Sequence, residues 1–232
     1  MKPTAFALLL LFTATSAFSQ TKISASTIIK QINEGKPVQY NNVQIEGNLD
    51  LTDLNNRRVK HSSTSWFGDD DETYESHVDV PISFANCTFL DDVLAYYHID
   101  REGSTYIAHF EKDVAFTNCT FTRASEFKYS EFNGRADFTG STFDEEANFK
   151  YSEFSEGPLF TNVKFDSGAD FKYTEFPRET SFEKASFRGL ANFKYSQFRS
   201  PVKLDAISFK GSEDFKYTEI DGRSFTSYLL HR

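Results

Sequence analysis

Large apolar residues recur in the second half of the chain with a strict spacing. From residue 116 to residue 220 the intervals alternate between five and six for twenty consecutive positions. Neither the period of an amphipathic helix nor the two-residue alternation of a half-buried strand produces this spacing. The pattern instead predicts a coil with four short sides and one inward apolar residue on each side. The positions are Phe116, Phe121, Phe127, Phe132, Phe138, Phe143, Phe149, Phe154, Phe160, Phe165, Phe171, Phe176, Phe182, Phe187, Phe193, Phe198, Leu204, Phe209, Phe215 and Ile220.

A longer repeat of 22 residues is superimposed on this spacing. The tetrapeptide Phe-Lys-Tyr-Ser or Phe-Lys-Tyr-Thr begins at residues 127, 149, 171, 193 and 215. A fixed repeat of this length is typical of solenoids, in which each unit covers the apolar face of its neighbour. The residue two before each large apolar residue is mostly small, so we expect small and large side chains to alternate toward the core. Five such coils would span roughly 24 Å, because hydrogen-bonded strands lie about 4.8 Å apart.

The repeat resembles the consensus of the pentapeptide-repeat family, which is Ala, then Asp or Asn, then Leu or Phe, then two variable residues. The literal matches are Ala136-Asp137-Phe138, Ala147-Asn148-Phe149, Ala169-Asp170-Phe171 and Ala191-Asn192-Phe193, and the resemblance extends over about half of the chain. It implies an all-β fold, a right-handed quadrilateral parallel β-helix with Phe or Leu stacked along its axis. This chain departs from the family pattern because every second group has an extra residue. Two of the four corners should therefore be looser.

The remaining segments divide the chain into five parts. Residues 1–19 have the features of a secretory signal peptide, with Lys2, an apolar run and Ala17-Phe18-Ser19 as the cleavage site. Residues 20–37 are predicted to form a short N-terminal capping helix, because Ser24 or Ser26 can cap it and Gly35 can end it. Irregular N-terminal coils should follow over 38–115, the regular 22-residue coils over 116–225, and a C-terminal cap over 226–232.

Two features interrupt the coils between residues 38 and 115. The polar stretch 55–75 is predicted to be a surface loop. Residues 93–110 contain the turn sequence Asp100-Arg101-Glu102-Gly103 between two aromatic-rich segments, which favours a β-hairpin. An irregular coil with core residues in the same segment is the alternative. Loops that interrupt a solenoid often carry recognition, so we expect residues 66–110 to contribute more specificity than the regular coils.

The leader and the charge restrict where the protein works and what it binds. The apolar run is too short to span a bilayer as a helix, so a periplasmic or secreted protein without a membrane span is expected. The full chain has a formal net charge of -9. An acidic protein has no electrostatic reason to bind nucleic acid. The best-known members of the family that it resembles mimic DNA and bind DNA gyrase, an alternative that export from the cytoplasm disfavours.

The Phe-Lys-Tyr repeat should place like side chains above one another on the outer surface. Stacked tyrosines beside Lys and Glu columns would stabilise a parallel sheet, which is the structural interpretation. The functional interpretation is a strip of exposed aromatic rings that binds sugar rings or another surface. The candidate binding residues are Tyr129, Tyr151, Tyr173, Tyr195, Tyr217, Lys150, Lys172 and Lys194, with Glu131, Glu153, Glu175, Gln197 and Glu219 in a neighbouring column.

Few other residues suggest chemistry. Cys87 and Cys119 occupy equivalent positions in two Asn-Cys-Thr-Phe segments, so they could form a disulfide in an oxidising compartment or remain buried free thiols. The five histidines lack the spacing of zinc ligands. No catalytic motif is recognisable, so we expect no catalytic residue, metal or cofactor.

The sequence therefore favours a non-enzymatic, exported β-solenoid that is a scaffold or binding module for an envelope protein or glycan partner. Homodimerisation through the C-terminal end is what the family resemblance implies. The alternative is a β-helix enzyme that acts on polysaccharide. It would need clustered carboxylates that interrupt the repeat, and only residues 55–110 could supply them.

Overall fold

The computed structural model describes residues 20–60 and 72–230, and within them the chain winds as a parallel β-helix. The predicted signal peptide, Trp66 and the acidic residues 69–71 lie outside the described residues. The N-terminal part contains β1 (Thr21–Ser24), α1 (Ala25–Asn33), β2 (Val38–Asn41), β3 (Val43–Glu46), β4 (Leu49–Asp50), β5 (Arg58–Lys60), β6 (Thr73–Val78), β7 (Ile82–Ala85), β8 (Thr88–Phe89), β9 (Val93–Leu94), β10 (Tyr96–Ile99) and β11 (Ser104–Phe110).

The regular part consists mainly of two-residue strands joined by tight corners. It contains β12 (Val114–Thr117), β13 (Thr120–Phe121), β14 (Ser125–Glu126), β15 (Glu131–Phe132), β16 (Ala136–Asp137), β17 (Thr142–Phe143), β18 (Ala147–Asn148), β19 (Glu153–Phe154), β20 (Lys164–Phe165), β21 (Ala169–Asp170), β22 (Glu175–Phe176), β23 (Ser186–Phe187), β24 (Ala191–Asn192), β25 (Gln197–Phe198), β26 (Ser208–Phe209), β27 (Glu213–Asp214), β28 (Glu219–Ile220), β29 (Arg223–Ser224) and α2 (Phe225–Leu230).

Four walls run along the helix. Wall 1 contains β2, β7, β12 and β16 and continues through single bridges at Leu159, Ser181 and Lys203. Wall 2 contains β1, β3, β8, β13, β17, β20, β23 and β26. Wall 3 contains β4, β9, β14, β18, β21, β24 and β27. Wall 4 contains β6, β11, β15, β19, β22, β25 and β28, with β5, β10 and β29 attached antiparallel. The four-sided coil predicted from the spacing is confirmed.

The core is a column of aromatic rings. Within a wall, rings of successive coils stack in parallel, as Phe121 and Phe143 do at 4.5 Å and 2°. Between walls they meet edge to face, as Phe138 and Phe149 do at 5.4 Å and 84°. Both arrangements are favourable for aromatic pairs and add about 0.5–1.5 kcal/mol to the burial of each ring. The alternation of small and large inward residues is also confirmed, because Ser152, Thr174 and their equivalents are buried.

The N-terminal cap differs in part from the prediction. Thr21–Ser24 is not helical but forms β1, which pairs in parallel with β3 and extends wall 2. The helix is α1, and the Ser24 hydroxyl caps it by accepting a hydrogen bond from the Ser26 amide. Ile28 and Ile32 are buried against the first coil. A strand and a helix together therefore cover this end of the solenoid.

The interruptions between residues 38 and 115 are both hairpins. β10 and β11 pair antiparallel, with Tyr96 opposite Ile107, so the hairpin prediction is confirmed. The loop predicted over 55–75 is wrong in part, because β5 and β6 also pair antiparallel. These two strands could not be predicted from the hydrophobic pattern because most of their side chains are polar. β6 and β11 then pair in parallel, so the two hairpins form one four-stranded sheet, β5-β6-β11-β10, which we call the flap.

The C-terminal end departs from the regular repeat before residue 225. The chain reverses at Asp221 and Gly222, so that β29 pairs antiparallel with β28. Phe225 is buried and stacks on Phe198 at 5.2 Å. Phe209, on wall 2 of the last coil, is only partly buried. Homodimerisation through this end stays a prediction.

The corners with an extra residue are not uniformly loose. Two adjoining depressions lie at the corner between walls 4 and 1, and Arg178 lines both of them. Successive coils nevertheless approach closely at these corners, since a Cβ at Gly157 would overlap the carbonyl of Arg178 and one at Gly189 that of Ser167. Glycine thus allows the extra residue to be accommodated without separating the coils.

Candidate binding surface

The predicted tyrosine column is present at the corner between walls 3 and 4. The rings of Tyr129, Tyr151, Tyr173, Tyr195 and Tyr217 stack with centroid distances of 4.7–5.0 Å and interplanar angles of 2–15°. The backbone supports the column, because the amides of the first four tyrosines each donate to the carbonyl of the lysine in the next coil, as from Tyr151 to Lys172 at 3.0 Å. The five tyrosines and the lysines preceding them, residues 128, 150, 172, 194 and 216, are called the tyrosine–lysine strip below.

All five tyrosines have left-handed backbone conformations. Their φ angles lie between 59° and 64°, where a residue other than glycine or asparagine costs roughly 1–2 kcal/mol. The corresponding turn between walls 1 and 2 has the same conformation at Asn118, Gly140 and Asn162, residue types that tolerate it well, and then at Lys184 and Ala206. Tyrosine is thus present in five successive turns against the local backbone preference. The stacked column has to compensate for this strain.

The stacking leaves the ring edges, not the ring faces, toward solvent. Tyr151 and Tyr173 are covered on both faces by neighbouring rings. The ammonium groups of Lys150 and Lys172 lie 5.2 Å and 4.9 Å from the centroids of these two rings. The stacked column expected from the repeat is present, and its use as a binding strip stays a prediction. The repeat predicted the stacking, but not which part of each ring faces solvent.

The lysines of the strip form no ion pair among the residues that the structure describes. Glu131, Glu153 and Glu175 are aligned along wall 4, but none of them neutralises a strip lysine. The nearest acidic column stabilises the turn instead, because the Asp170 side chain accepts a hydrogen bond from the Lys172 amide at 2.9 Å. Burial raises the pKa of Asp170. The strip thus presents ammonium groups without ion pairs beside phenol edges, although Lys150 and Lys172 interact electrostatically with Asp170.

The flap leaves the helix at the same corner. Leu94 aligns with Glu126 on wall 3 and Phe110 with Phe132 on wall 4, so the hairpin between them replaces a Lys-Tyr turn. Tyr96 of β10 contacts the ring of Tyr129 at 5.8 Å, and its hydroxyl accepts a hydrogen bond from the Lys128 ammonium at 3.1 Å. The flap and the strip therefore form one continuous surface.

A second aromatic row crosses one face of the flap. Tyr97, Tyr106 and Tyr74 lie on adjacent strands and stack at 4.5 Å and 4.8 Å. The Arg57 guanidinium lies 5.4 Å from the Tyr106 centroid. This row was not predicted from the sequence. A signal for it was present, because the separation of 32 residues between Phe84 and Phe116 also relates Tyr74 to Tyr106.

The same separation aligns His77 with His109 on the wall side of the flap. The His109 ring, nearly fully buried, accepts a hydrogen bond from the Glu131 amide and lies 3.4 Å from Glu75. Glu75 also pairs with Lys60 at 2.6 Å. His77 donates to Glu111 at 2.7 Å, and this hydrogen bond holds the pKa of Glu111 below its usual value. This network links β5, β6, β11 and β15, the strands through which the flap continues into wall 4.

Cys87 and Cys119 are buried free thiols on adjacent coils of the described structure. The Cys87 thiol donates to the Ala85 carbonyl at 3.2 Å. The neighbouring Cys87 thiol and burial raise the pKa of Cys119. The disulfide alternative stays a prediction for the exported protein.

Over the described ranges, no group of three or more His, Cys, Asp or Glu side chains has a geometry that could hold a metal ion. No helix in the same ranges is both long and apolar enough to cross a membrane.

Comparison with known proteins identifies the repeat. A family model for pentapeptide repeats, in 9 copies, matches residues 108–153 and 149–197. The matched part of the chain, residues 108–197, consists of pentapeptide repeats. No curated protein and no solved structure matches the chain. The repeats account for the four walls of the regular coils.

Proposed function

We propose that this pentapeptide-repeat protein is an exported, non-enzymatic scaffold or binding module, and that its partner is an envelope protein bound along the tyrosine–lysine strip. The observation that carries the proposal is the use of tyrosine at five left-handed positions, beside five lysines without ion pairs among the described residues. Strained residues that recur in a surface array are often retained for function. Tyrosine is also enriched at protein interfaces, where its ring is apolar and its hydroxyl can form hydrogen bonds.

The geometry favours a protein over a glycan as the partner. A sugar ring that stacks on tyrosine needs an uncovered ring face, and both faces of Tyr151 and Tyr173 are covered. A protein partner can pack against ring edges and place carboxylates next to the lysines. We therefore expect weak or no retention on neutral polysaccharide.

The enzyme alternative receives less support. The cluster of Glu75, Glu111, His77 and His109 is the kind of interruption that it needs, but each carboxylate already has a cationic or histidine partner. The His109 side chain has only 5% of its surface exposed. Groups arranged in this way stabilise the sheet that the flap shares with wall 4, and of the four only His77 and Glu111 are partly exposed.

Export is part of the proposal and rests on the leader predicted for residues 1–19. Its test is the mass of the protein recovered from the culture medium or the periplasm after expression with its own leader. Cleavage near Ser19 is expected. Full-length protein confined to the cytoplasm would contradict this part of the proposal.

The binding test compares retention of immobilised variants by an envelope extract, by purified peptidoglycan and by neutral polysaccharides. The strip variants are Tyr151→Ala/Tyr173→Ala and Lys150→Gln/Lys172→Gln. The matched control is Lys164→Gln/Lys210→Gln, which removes two exposed lysines from wall 2 and its following corner. Circular dichroism and thermal unfolding show that each variant is folded.

We expect the wild type and the control to retain protein from the envelope extract. The strip variants should bind it at least about tenfold more weakly, which corresponds to about 1.4 kcal/mol. Retention that is equal for all folded variants would overturn the assignment to the strip. Retention on polysaccharide that depends on Tyr151 and Tyr173 would replace the protein partner with a glycan.

A further inference from the structure

The two outer edges of the flap differ in how they are protected. β5 forms one edge and carries Arg58 and Lys60, both exposed. β10 forms the other edge with the uncharged sequence Tyr-Tyr-His-Ile. Charged side chains on an edge strand are a common device against pairing with another chain. Only the β5 edge has this protection, whereas β10 presents an edge to which a further strand can pair.

Hydrogen-bond alternation shows which groups of β10 are available. The Ala108 amide donates to the Ala95 carbonyl at 2.8 Å, and the Thr105 amide donates to Glu72 on the other side of β11. Even-numbered residues of β11 therefore face β10, which makes Tyr97 and Tyr106 a hydrogen-bonded pair. The amides and carbonyls of Tyr96 and His98 consequently point away from β11. Among the described strands, β10 pairs with β11 alone.

The charge next to this edge indicates the chemistry of an added strand. The Lys128 ammonium lies 3.1 Å from the Tyr96 hydroxyl and has no carboxylate partner among the described residues. Lys150 follows in the next coil of the strip, in the layer that an added strand would occupy. A strand with a carboxylate side chain opposite Tyr96 would place its charge beside these two cations.

We propose that β10 is a strand-addition site, which binds an extended segment of a partner protein with an acidic residue opposite Tyr96. Main-chain hydrogen bonds to Tyr96 and His98 supply affinity, and the acidic residue beside Lys128 supplies specificity. This proposal deepens the proposed function and rests on it for the protein nature of the partner. β10 would be a second part of the interface, which the substitutions in the strip do not change.

The test selects short peptides of random sequence, displayed on phage, against the folded wild-type protein. Selected peptides are then measured against His98→Pro and His98→Ala. Proline removes the outward amide without removing a β10–β11 hydrogen bond, because edge positions with an outward amide tolerate it. Alanine removes the same side chain and keeps the amide. Lys128→Gln tests the acidic residue, and Tyr151→Ala/Tyr173→Ala tests independence from the strip.

We expect the selected peptides to contain an acidic residue. Relative to the wild type, His98→Pro should bind them about tenfold more weakly, and His98→Ala should bind them within about threefold. Amide hydrogen exchange at Tyr96 and His98 should slow in the complex. Peptides that bind His98→Pro as well as the wild type, or no enrichment over that variant, would overturn the proposal. A dimer of the wild type that protects the same two amides would also overturn it, since a second copy would then occupy the edge. Normal capture of envelope protein by His98→Pro, with capture lost in the strip variants, would overturn this proposal and leave the proposed function intact.

Discussion

The Ser152 hydroxyl donates a hydrogen bond of 2.7 Å to the carbonyl of Phe127, which lies in the preceding coil. Thr174 and Thr218 repeat this contact with Phe149 and Phe193. Ser130, in the same column, is buried without a partner among the described residues. Its equivalent acceptor would be the Ala95 carbonyl, which the flap hairpin uses for the Ala108 amide. A single column therefore contains both a satisfied and an unsatisfied hydroxyl.

Alanine at these two positions should have different effects. Ser152→Ala loses a hydrogen bond in the core and should lower the free energy of unfolding by about 1 kcal/mol. Ser130→Ala removes a buried hydroxyl that has no partner among the described residues and should leave the stability unchanged or raise it. Denaturant unfolding of both variants measures the difference. Equal destabilisation would show that the Ser130 hydroxyl forms a stabilising hydrogen bond after all.

Substitution of Tyr173 separates stacking from backbone strain. Phenylalanine keeps both stacks and should change the stability by less than about 0.5 kcal/mol. Alanine loses two stacks of about 0.5–1.5 kcal/mol each and keeps the left-handed strain. Glycine loses the same stacks but relieves the strain, so it should be less destabilising than alanine. The melting temperature should be highest for the phenylalanine variant, lower for glycine and lowest for alanine. A higher melting temperature for alanine than for glycine would contradict the strain at this turn.

The two cysteines provide a test of burial. Each has only 1% of its surface exposed, so neither thiol should react with a thiol reagent in the folded protein. Both should react once guanidinium chloride unfolds the chain. A mature exported protein with no reactive thiol after unfolding would instead contain the Cys87–Cys119 disulfide.

The flap network should make stability depend on acid pH. The hydrogen bond from His77 holds the pKa of Glu111 below the ordinary 4.5, so its ionised form is favoured in the folded state. This contribution is complete above pH 4.5 and is lost as the pH falls through the folded pKa. Glu111→Gln should therefore be less stable than the wild type at neutral pH, and the difference should shrink in acid. Urea unfolding midpoints of both proteins, at neutral pH and at about pH 3.5, roughly one unit below the ordinary pKa of a glutamate, measure this difference in stability. A difference that does not vary with pH would exclude this role.

The regular coils could be predicted from the sequence because a single physical requirement repeats there. Each wall buries one large ring per coil, so Phe127, Phe149 and Phe171 recur at a fixed interval that few folds can produce. The flap could not be predicted as completely. β5 is exposed along its length, and its position depends on backbone pairing with β6, which in turn pairs with β11. Backbone pairing leaves no hydrophobic pattern in the sequence.

The strip shows how far residue types can indicate a site. The column of tyrosines follows from the repeat, but the orientation of the rings depends on the left-handed turn at residues such as Tyr151, which sequence spacing does not reveal. The same limit explains the missed row of Tyr74, Tyr97 and Tyr106. These residues become neighbours only through the offset that the insertions create.

The most direct test of the account is lysine footprinting of the protein with and without the envelope partner captured by the wild type. Acetylation rates at individual lysines are measured by mass spectrometry. The account predicts slower modification of Lys150, Lys172 and Lys194 in the complex, with Lys164 and Lys210 unchanged. Unchanged rates along the strip, with protection confined to another wall, would show that the tyrosine–lysine strip is a structural ladder and not the binding surface.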